Sequence, residues 1–538
     1  MNPVQVEIQP NYIFVKVPYS QKELAKGLGG EWNQSRKMWK FVNNIYMMRS
    51  LLKTFPALMN NQYFINEGKK IKAQMDALLS IKAQEDAPGD PRLRPYQRVD
   101  VQYLKRLTAA GVFNEQRTGK TPTILTVCKE LELDKVLIVC PASLLRNWES
   151  EIKTWVGNHV TCVVSKGTKQ KRLQLYSNLP NYLIVSYETL RNDISAISTH
   201  VFDSVIVDEA HRLRNRDTKQ SQALFQLKAH RKYALTGTPT VKDGTDIFGI
   251  LSWLFPEKYT SYWKFVKRYF TIYEDYWGNT VIGDYKPETK AELQELIGFI
   301  SVQRKRKDVM AWLPDKTYIP IPVEMDAKQR KVYNEMLNTF MVKVDEDEAI
   351  DAPTALAQLT RLRQLCLDPA LLGIDAPSAK TDAIMEWLED NKQPVVIMSM
   401  FTSYLHRLQT ILQEKGYSVG TIHGEMANDA KFQAARDFQD GKLDILLCNI
   451  ISAGVGFTLD RADTAIFTDK AWNPTDQQQA EDRIIPVDES RNHAINIITF
   501  PIADTVDEKI EKILETKTNL TEVINSGARD AIMRLLGR

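Results

Sequence analysis

Short runs of apolar, largely β-branched residues recur along the chain from about residue 110. Each run is followed by a polar loop and then by a longer stretch with helical periodicity, as in KVLIVCPAS, NYLIVSYET, DSVIVDEAH and RKYALTGTP. Strands that are apolar on both faces are typical of a parallel sheet covered by helices on each side. The pattern therefore predicts an α/β lobe built around a parallel sheet.

The same pattern returns after residue 390, in QPVVIMSMF, LDILLCNII, DTAIFTDKA and AINIITF. A second set of continuous apolar runs predicts a second parallel sheet with its own helices. We therefore expect an α/β fold class, with two parallel-sheet lobes in tandem.

Three further segments surround the predicted lobes. Residues 1–62 have the pattern of a small α+β module, and residues 63–91 read as a polar, helical linker that ends in the Pro/Gly cluster EDAPGDPRLRP. The first lobe then spans residues 92–315 and the second 316–538, each with a helical insertion in the region 257–375. The acidic stretch DEDEAIDAPTA, from Asp345 to Ala355, predicts an exposed loop.

Composition limits the classes of protein that the chain can represent. Its 538 residues are too many for one core and fit three or four units. The formal net charge is only +3, yet the first sixty residues carry eight Lys or Arg against three Glu, which favours a polyanionic partner. The N-terminal sequence has no signal pattern, and no run reaches the ~18 apolar residues of a membrane span. We expect a protein of the cytosol or of a nucleic-acid compartment.

The five cysteines are scattered, with no C-x-x-C pair and no histidine at ligand spacing. We predict reduced, buried thiols and no structural zinc at these positions, which are Cys128, Cys140, Cys162, Cys366 and Cys448.

The stretch FNEQRTGKTPT, from Phe113 to Thr123, ends like a phosphate-binding loop but lacks the first glycine of G-x-x-x-x-G-K-[ST]. Such a loop needs backbone N–H groups at a helix N-terminus, a lysine for the β- and γ-phosphates, and a hydroxyl for Mg²⁺. Gly119, Lys120 and Thr121 would supply these groups. Asn114 stands where the first glycine is expected and tolerates a positive φ. The alternative is an ordinary loop with a chance Gly-Lys-Thr.

A pair of acids follows another apolar run, in SVIVDEAH from Ser204 to His211. Hydrolysis of a phosphoanhydride needs one carboxylate to hold Mg²⁺ and another to orient or deprotonate water, and Asp208 and Glu209 stand where both roles are available. A solvated turn is the alternative for an isolated acidic pair. The pair and the loop together favour a nucleotide site.

The order of these motifs resembles that of superfamily-two helicases. The segments that carry the resemblance are NEQRTGKT, DEAH, LTGTP, SAKTDAIMEWL, IHGEM, SAGVGFTL, AWNP and QAEDR. Within that superfamily, LRQLCLDP (Leu362 to Pro369) and AWNPTDQQQAEDR look like the Swi/Snf-type DNA translocases. The resemblance covers roughly residues 92 to 515 and implies RecA-like lobes. In that family the loop often begins with Asp and carries a second glycine where this chain has Arg117.

The resemblance implies roles for the residues at matching positions. It implies an ATP and Mg²⁺ site whose nucleotide-binding residues are Gln97, Thr118, Gly119, Lys120, Thr121 and Gly456. Gln97 would read adenine, although a helix-surface amide is the alternative, and Thr121 and Asp208 would hold Mg²⁺. The catalytic residues would be Lys120, Asp208, Glu209, Gln479 and Arg483. Nucleotide state would be coupled to DNA contacts by His211, Thr236 and Thr238, for which simple turn residues are the alternative.

The resemblance also implies a DNA-tracking surface. Its contacts would come from PASLLRNW and SYETL in the first lobe and from HGEM and SAGVGFTL in the second. The individual candidates are Ser143, Arg146, His423, Ser452 and Gly454. DNA rather than RNA is implied by the resemblance alone.

One motif departs from the family pattern. In Swi/Snf-type motors the last motif runs Q-A-x-x-R-x-x-R, and its two arginines neutralise charge at the γ-phosphate. This chain has Arg483 at the first position but Pro486 at the second. We expect an active ATPase in which Arg483 suffices or Arg491 substitutes.

The front segment GLGGEWNQSRKMWKF, from Gly27 to Phe41, combines aromatic and basic residues. Such a combination holds phosphates while it stacks on bases, so Trp32, Arg36 and Lys37 are candidate DNA contacts. The alternative is that both tryptophans, Trp32 and Trp39, form the core of a small domain. The segment resembles the HARP-type module of annealing helicases, which implies recognition of DNA structure.

A second aromatic cluster holds ten Tyr, Trp or Phe within residues 259 to 285. Base stacking is one interpretation. We favour the packed core of a helical protrusion, because the resemblance places such a protrusion here.

Together these patterns predict an ATP-dependent DNA translocase or helicase that acts on branched DNA, by fork regression, branch migration, unwinding or reannealing. One alternative is a duplex translocase that displaces bound proteins. Another is a structure-binding protein that does not hydrolyse ATP, because its motor has decayed at Pro486. Replication or recombination proteins are candidate partners. The compact motor favours a bacterial or phage-infected cytoplasm over a chromatin setting, with the nucleus as the eukaryotic counterpart.

Overall fold

The computed structural model describes residues 5–43, 45–239, 244–275, 278–313, 315–346, 352–453, 457–486 and 494–515. The chain divides into two compact units, Met1–Val309 and Met310–Arg538. No helix among these described residues has the length and apolar character that a membrane crossing requires.

The first unit begins with a small front module. A four-stranded antiparallel sheet in the order β1-β2-β4-β3 packs its apolar face against helices. The elements are β1 (Val6–Ile8), β2 (Tyr12–Val15), α1 (Lys22–Gly27), β3 (Glu31–Asn33), β4 (Met38–Val42) and α2 (Ile45–Thr54). The buried side chains include Ile13, Val15, Trp39, Phe41 and Leu51. A single long helix, α3 (Gln62–Lys82), leads from this module into the first lobe.

The front module packs against the first lobe. The Tyr12 hydroxyl donates to the Glu257 carbonyl, and Lys264 forms an ion pair with Glu31. Ile71 of α3 contacts both the core of the module and the core of the lobe. The module is therefore part of the first unit.

The first lobe is a seven-stranded sheet in the order β13-β5-β10-β9-β6-β8-β7, and its neighbouring strands all run parallel. The strands β6 (Val136–Cys140) and β8 (Tyr182–Ser186) are buried along their whole length, as their continuous apolar sequences require. The other strands of this sheet are β5 (Ala109–Val112), β7 (Cys162–Val164), β9 (Val201–Asp208), β10 (Lys228–Leu235) and β13 (Ser301–Val302). The predicted parallel sheet is confirmed.

Helices cover this sheet and extend beyond it. They are α4 (Pro95–Leu104), α5 (Lys120–Glu130), α6 (Leu145–Trp155), α7 (Lys169–Ser177), α8 (Tyr187–Ile197), α9 (Lys219–Phe225), α10 (Ile247–Leu254), α11 (Tyr262–Tyr269), α12 (Pro287–Ile300) and α13 (Arg306–Val309).

The region 257–375 is not helical throughout, contrary to the sequence pattern. A separate hairpin forms from β11 (Phe270–Glu274) and β12 (Thr280–Tyr285), in which Ile272 pairs with Ile282 and Tyr273 with Val281. Gly278 supplies the left-handed residue of the turn, with a φ of 77°. Side chains in these two strands therefore alternate between the two faces of the hairpin, instead of following the helical period that the sequence pattern predicted. The aromatic side chains before the hairpin do pack together: Phe265, Tyr269 and Phe270 are buried, in agreement with a packed protrusion rather than a base-stacking surface.

The second unit contains a six-stranded parallel sheet in the order β14-β19-β18-β15-β17-β16. Its strands are β14 (Lys316–Pro320), β15 (Val395–Ser399), β16 (Val419–Ile422), β17 (Ile445–Asn449), β18 (Thr464–Phe467) and β19 (Ile495–Thr499). The second predicted sheet is confirmed as well.

The helices of the second unit lie between and around these strands. They are α14 (Ala327–Glu346), α15 (Ala352–Leu367), α16 (Ala379–Asp390), α17 (Thr402–Glu414), α18 (Asn428–Gln439), α19 (Ile450–Ala453), α20 (Pro474–Glu481) and α21 (Val506–Glu515). The centre of the loop predicted at Asp345 to Ala355, residues 347–351, lies outside the described residues.

The cysteines form no disulfide. Four of them are buried, but Cys162 is only half-buried at the edge strand β7, so the prediction of buried thiols is wrong for that residue.

Candidate nucleotide-binding site

The phosphate-loop candidate connects β5 to the N-terminus of α5. Gly119 caps that helix in the left-handed conformation, with a φ of 79°, and a Cβ at this position would collide with the Gln97 amide. Lys120 and Thr121 are the first two residues of α5. The loop therefore points its backbone N–H groups and the positive end of the helix dipole to the same place, which suits phosphate.

The left-handed residue inside this loop is Arg117, with a φ of 68°, whereas Asn114 does not adopt a positive φ. Asn114 therefore does not replace glycine by its turn conformation. A side chain at such a φ costs roughly 1–2 kcal/mol relative to glycine. The loop therefore keeps an arginine at a left-handed position at a cost in folding free energy.

Asn114 is instead fixed by its side chain. The amide is fully buried, and its Nδ2 donates to Asp100 Oδ2 at 3.0 Å. The backbone carbonyls of Asn114 and Glu115 accept hydrogen bonds from Lys120 Nζ, at 3.1 and 3.3 Å. The candidate catalytic lysine therefore donates hydrogen bonds to the backbone of its own loop.

Asp208 is the last residue of β9, which is separated in the parallel sheet from β5, the strand before the loop, by β10 alone. Its carboxylate accepts from Trp148 Nε1 at 2.9 Å and from the Glu209 backbone N–H at 2.9 Å. Burial, followed by the negative charge of Glu209, raises the pKa of Asp208 to about 6, while Trp148 and the Lys120 ammonium oppose the shift. The acid that should hold a cation is therefore buried and only partly compensated by the protein.

Glu209 lies next to the residues predicted to couple nucleotide state to DNA. His211 Nδ1 is 3.2 Å from a Glu209 carboxylate oxygen and 3.3 Å from Thr236 Oγ1. The Thr236 hydroxyl oxygen also accepts from the Thr238 backbone N–H at 3.1 Å. A Cβ placed on Gly237 would lie 3.6 Å from Lys120 Nζ, so the loop after β10 faces the phosphate-loop lysine.

Gln97 of α4 braces the loop in this structure. Its Oε1 accepts from the Arg94 backbone N–H at 2.8 Å, and its Nε2 donates to the Thr118 carbonyl at 3.0 Å. The Tyr96 hydroxyl donates to the same carbonyl at 3.0 Å, and the Thr118 hydroxyl donates to the Glu115 carbonyl at 2.7 Å. Gln97 is buried beside the loop and is not a surface amide. Its role in reading adenine stays a prediction.

These residues suit ATP with Mg²⁺. A helix N-terminus and a lysine match the phosphates, and the hydroxyl of Thr121 and the carboxylate of Asp208 are hard oxygen ligands of the kind that Mg²⁺ prefers. The raised pKa of Asp208 is the observation that supports this fit, because a nearby cation would stabilise its charged form.

A family model described as the SNF2-related domain matches residues 33–371, and a second model, described as the helicase conserved C-terminal domain, matches residues 379–486. The first of these matches spans more than half of the chain. The chain belongs to the SNF2-related family. This family of helicase-like ATPases accounts for the order of the motifs and for both parallel sheets.

Several proteins of this family resemble the chain over most of its length. It is 25% identical to the chromodomain-helicase-DNA-binding protein 1-like of Danio rerio, over 83% of this chain and 45% of that protein. It is 26% identical to a DNA repair and recombination protein RAD54-like of Drosophila ananassae, over 80% of this chain and 62% of that protein. An uncharacterized ATP-dependent helicase of Mycoplasma pneumoniae is 24% identical, over 92% of this chain and 49% of that protein. The chain spans about half the length of the curated relatives it matches.

Among solved structures, the Sulfolobus solfataricus SWI2/SNF2 ATPase core in complex with dsDNA is 24% identical to the chain. The match covers 85% of this chain and 99% of that one, with a TM-score of 0.39.

The second unit carries the last SNF2-related motif at the end of α20. Arg483 is half-buried, its guanidinium lies 3.5 Å from the Phe457 carbonyl, and its own carbonyl accepts from the Leu459 backbone N–H at 2.9 Å. The preceding Glu481 is buried and accepts from Lys316 Nζ at 2.9 Å. This packing fixes the backbone that presents Arg483, and Gln479 lies half-buried one turn earlier. Arg491 and Gly456 lie outside the described residues.

The DNA-contact candidates are spread over both units. In the first, Ser143 and Arg146 stand at the start of α6, where Arg146 forms an ion pair with Glu149 at 2.7 Å. In the second, His423 Nε2 lies 3.3 Å from His406 Nε2, and the Ser452 backbone N–H donates to Asn449. Gly454 lies outside the described residues.

The two tryptophans of the front module differ in burial. Trp39 is 7% exposed and belongs to the core, whereas Trp32 on the edge strand β3 is 53% exposed and meets the Trp39 ring edge-on at 5.7 Å between centroids. Arg36 lies over the Phe14 ring and forms an ion pair with Glu7 at the surface. The adjacent Lys37 is an exposed turn residue with a φ of 53°. The interpretation that both tryptophans are core is wrong for Trp32.

Sequence patterns did not point to three residues of the site. Trp148, sixty positions earlier in the chain, donates a hydrogen bond to the Asp208 carboxylate. Asp100 of helix α4 accepts from Asn114 of the loop and forms an ion pair with Arg304, which follows β13. The alternation of apolar residues places α4 on the lobe, but nothing in its sequence indicates which polar side chain points inward.

Proposed function

We propose that the chain is a DNA-dependent ATPase that couples ATP hydrolysis to translocation on DNA and acts preferentially at branched structures, by fork regression, branch migration, unwinding or reannealing. The observation that carries the proposal is the convergence of Lys120, Asp208, Glu209 and the Thr236–Thr238 loop at the carboxyl ends of β5, β9 and β10. Ligands of parallel α/β sheets bind at that edge.

The residues of the first unit have complementary roles in this proposal. Lys120 exchanges the carbonyls of Asn114 and Glu115 for phosphate oxygens, since an ammonium gains more from a charged acceptor. Thr121 and Asp208 would hold Mg²⁺, which when bound neutralises charge on the phosphates. Glu209 orients the attacking water and accepts its proton.

We further propose that ATP hydrolysis is connected to the nucleic acid through His211. His211 contacts both Glu209 and Thr236, so a change at the acid alters the position of the loop after β10. The proposal assigns this contact to coupling between the nucleotide and the DNA. Contacts with the DNA backbone need no base readout, so binding should depend strongly on salt and little on sequence.

DNA as the partner is supported by membership of the SNF2-related family and by the names of the relatives, which include DNA-binding and DNA repair and recombination proteins. Preference for branches is supported by the front module. The exposed Trp32 offers a stacking surface, and the exposed Arg36 and Lys37 of the following turn offer positive charge, as an unpaired base or a duplex end requires. The surface ion pair of Arg36 with Glu7 is weak enough for a phosphate to replace Glu7.

The test is steady-state phosphate release without nucleic acid and with single strand, linear duplex or a three-way fork, each at low and moderate salt. We expect the largest stimulation on the fork, loss of that preference when residues 1–60 are deleted, and no release from a Lys120→Ala variant. Equal stimulation by linear duplex and fork would instead favour a duplex translocase that displaces bound proteins. ATP binding without release on any substrate would mean that Pro486 marks an inactive motor.

A further inference from the structure

A fully buried carboxylate lies behind the phosphate loop, outside the groups that would contact ATP. Asp100 of α4 has no solvent exposure, and Arg304 donates to its Oδ1 through Nε at 2.9 Å and Nη2 at 2.7 Å. Its other oxygen, Oδ2, accepts from Asn114 Nδ2 at 3.0 Å. Burial raises the pKa of Asp100, and Arg304, Asn114 and Lys82 oppose that rise. An ion pair this deeply buried is expensive to keep, so its position needs an explanation.

The backbone around Asn114 is held by the same segment that carries Arg304. The Phe113 backbone N–H donates to the Val302 carbonyl, and the Glu115 backbone N–H donates to the Arg304 carbonyl, both at 2.9 Å. Asn114 is therefore fixed on both flanks by backbone hydrogen bonds and in the middle by its side chain. Its own carbonyl accepts from Lys120 Nζ at 3.1 Å, so the position of Asn114 sets the resting position of the lysine.

We propose that Asp100 and Arg304 are positioning residues of the phosphate loop, which act through the Asn114 amide to set the backbone from which Lys120 is presented to a nucleotide. The proposal rests on the assignment of this loop to ATP. It also explains the departure at the first loop position. Because the carboxylate comes from helix α4, the loop itself must supply an amide donor, and an aspartate at position 114 is incompatible with this chain.

The geometry makes this incompatibility specific. An Asn114→Asp substitution would place a carboxylate oxygen about 3 Å from Asp100 Oδ2, with no donor between them. The amide oxygen of Asn114, Oδ1, is already buried without a hydrogen-bond partner among the described residues, so a charge here could not be solvated. The paired exchange, Asp100→Asn with Asn114→Asp, restores the balance. The new amide at position 100 accepts from Arg304 and donates to the carboxylate at position 114.

The test compares N114D, D100N and the D100N/N114D exchange with the unmodified chain. Equilibrium binding of Mg-ADP by calorimetry, KM and kcat for ATP, and the thermal unfolding midpoint are measured for each. N114D should weaken Mg-ADP binding and raise KM at least about tenfold, the size of effect expected for one uncompensated buried charge. In the exchange variant, Mg-ADP affinity and KM should return to within about threefold of the unmodified chain, because the two positions are coupled neighbours in a double-mutant cycle. The recovery should appear mainly in KM and binding rather than in kcat.

A matched control exists in the same lobe. Asp193 is a carboxylate whose side chain, like that of Asp100, has no solvent exposure; it pairs with Arg172 and accepts from the Tyr176 hydroxyl. Asp193→Asn should lower the unfolding midpoint and leave the KM for ATP unchanged.

Three outcomes would overturn the inference. The first is N114D with normal Mg-ADP binding, and the second is a folded exchange variant that still binds poorly. The third is an Asp193→Asn variant that shifts KM as much as N114D does, because the effect would then be general destabilisation. If N114D does not fold, the exchange variant decides alone. Failure of the unmodified chain to bind Mg-ADP would instead refute the assignment of the loop to ATP, and with it this inference.

Discussion

Individual residues of the nucleotide site are held in states that cost folding free energy. Arg117 and Glu209 have left-handed backbones, with φ of 68° and 53°, and Asp208 is a buried acid with a pKa of about 6. Strained backbones and uncompensated charges collect where a protein must present groups to a ligand. Their presence together around Lys120 favours the proposed nucleotide site over an ordinary turn with a chance Gly-Lys-Thr.

The charge on Asp208 leads to a prediction about pH and stability. Its pKa is near 3.9 in an unfolded chain and about 6 in the folded protein, so folding is penalised once the pH rises through this range. Asp208→Asn should therefore stabilise the nucleotide-free protein by roughly 1–3 kcal/mol at pH 7 to 8. The advantage should shrink as the pH falls below 6 and be mostly lost near 4, where the acid is protonated in the folded protein and about half protonated in the unfolded chain.

Thermal unfolding of both proteins from pH 4 to pH 8, without nucleotide or Mg²⁺, measures this difference. Asp208→Asn should at the same time abolish phosphate release, because an amide is a poor ligand for Mg²⁺ beside a single hydroxyl. If the variant were less stable than the unmodified chain at pH 8, the protein would fully stabilise the charged Asp208 carboxylate, and the raised pKa of Asp208 would be contradicted.

Sequence analysis singled out the residues that we propose meet the ligand but not those that hold them in place. Asp208 ends the apolar strand β9 and Glu209 follows it, whereas Lys120 comes after the loop that leaves β5. These positions led to the prediction of phosphate and metal contacts. Asp100 and Arg304 are separated by 204 positions and belong to elements with no phosphate-binding pattern. Pairing of that kind depends on tertiary packing, which one sequence does not reveal.

At the scale of elements, the helix α3 attaches the front module to the first lobe at a defined point. Lys82 at its C-terminal end donates to the carbonyls of Gly298 and Ser301, both at 2.7 Å, where α12 ends and β13 begins. Burial lowers the pKa of Lys82 to about 8, so the ammonium is still charged at pH 7. It neutralises the negative end of α12, two residues before the segment that fixes the phosphate loop.

Lys82→Met keeps the apolar stem but removes this cap. We expect a loss of roughly 1–3 kcal/mol in the free energy of unfolding at pH 7, because two carbonyls in partly buried hydrogen bonds lose a charged donor. Denaturant unfolding followed by tryptophan fluorescence measures it. The control is Lys72→Met on the same helix, where the lysine is exposed and paired with Asp76, and where we expect less than about 0.5 kcal/mol. Equal effects of the two substitutions would exclude a capping role for Lys82.

The strands with continuous apolar sequences were the most predictable elements. The continuous apolar runs became the central strands of both sheets, because a strand buried on two faces leaves little alternative. The hairpin β11–β12 was missed since its aromatic residues satisfy a helical and an alternating pattern equally well. The turn at Gly278, next to Asn279, was the available indication of two strands.

At the scale of the whole molecule, the chain combines SNF2-related and helicase C-terminal domains with a front module that has its own core. The module contacts the lobe through Tyr12, Glu31 and α3, and it therefore belongs to the unit that carries the phosphate loop. Resemblance to the family predicted the motor because its motifs are ordered over hundreds of residues. The short pattern of the module could not establish which tryptophan would be buried.

The exposure of Trp32 gives a prediction for the complete protein. Trp32→Ala should reduce the ratio of fork-stimulated to duplex-stimulated phosphate release several-fold, since one aromatic stacking contact with a base contributes roughly 1–3 kcal/mol. The fold should survive, because Trp39 keeps the module core while Trp32 is 53% exposed. Met59→Ala, at a residue of the same region that is 62% exposed, serves as the control and should keep the ratio. An unchanged ratio in Trp32→Ala, together with lost preference on deletion of residues 1–60, would move the branch-recognising surface elsewhere on the module.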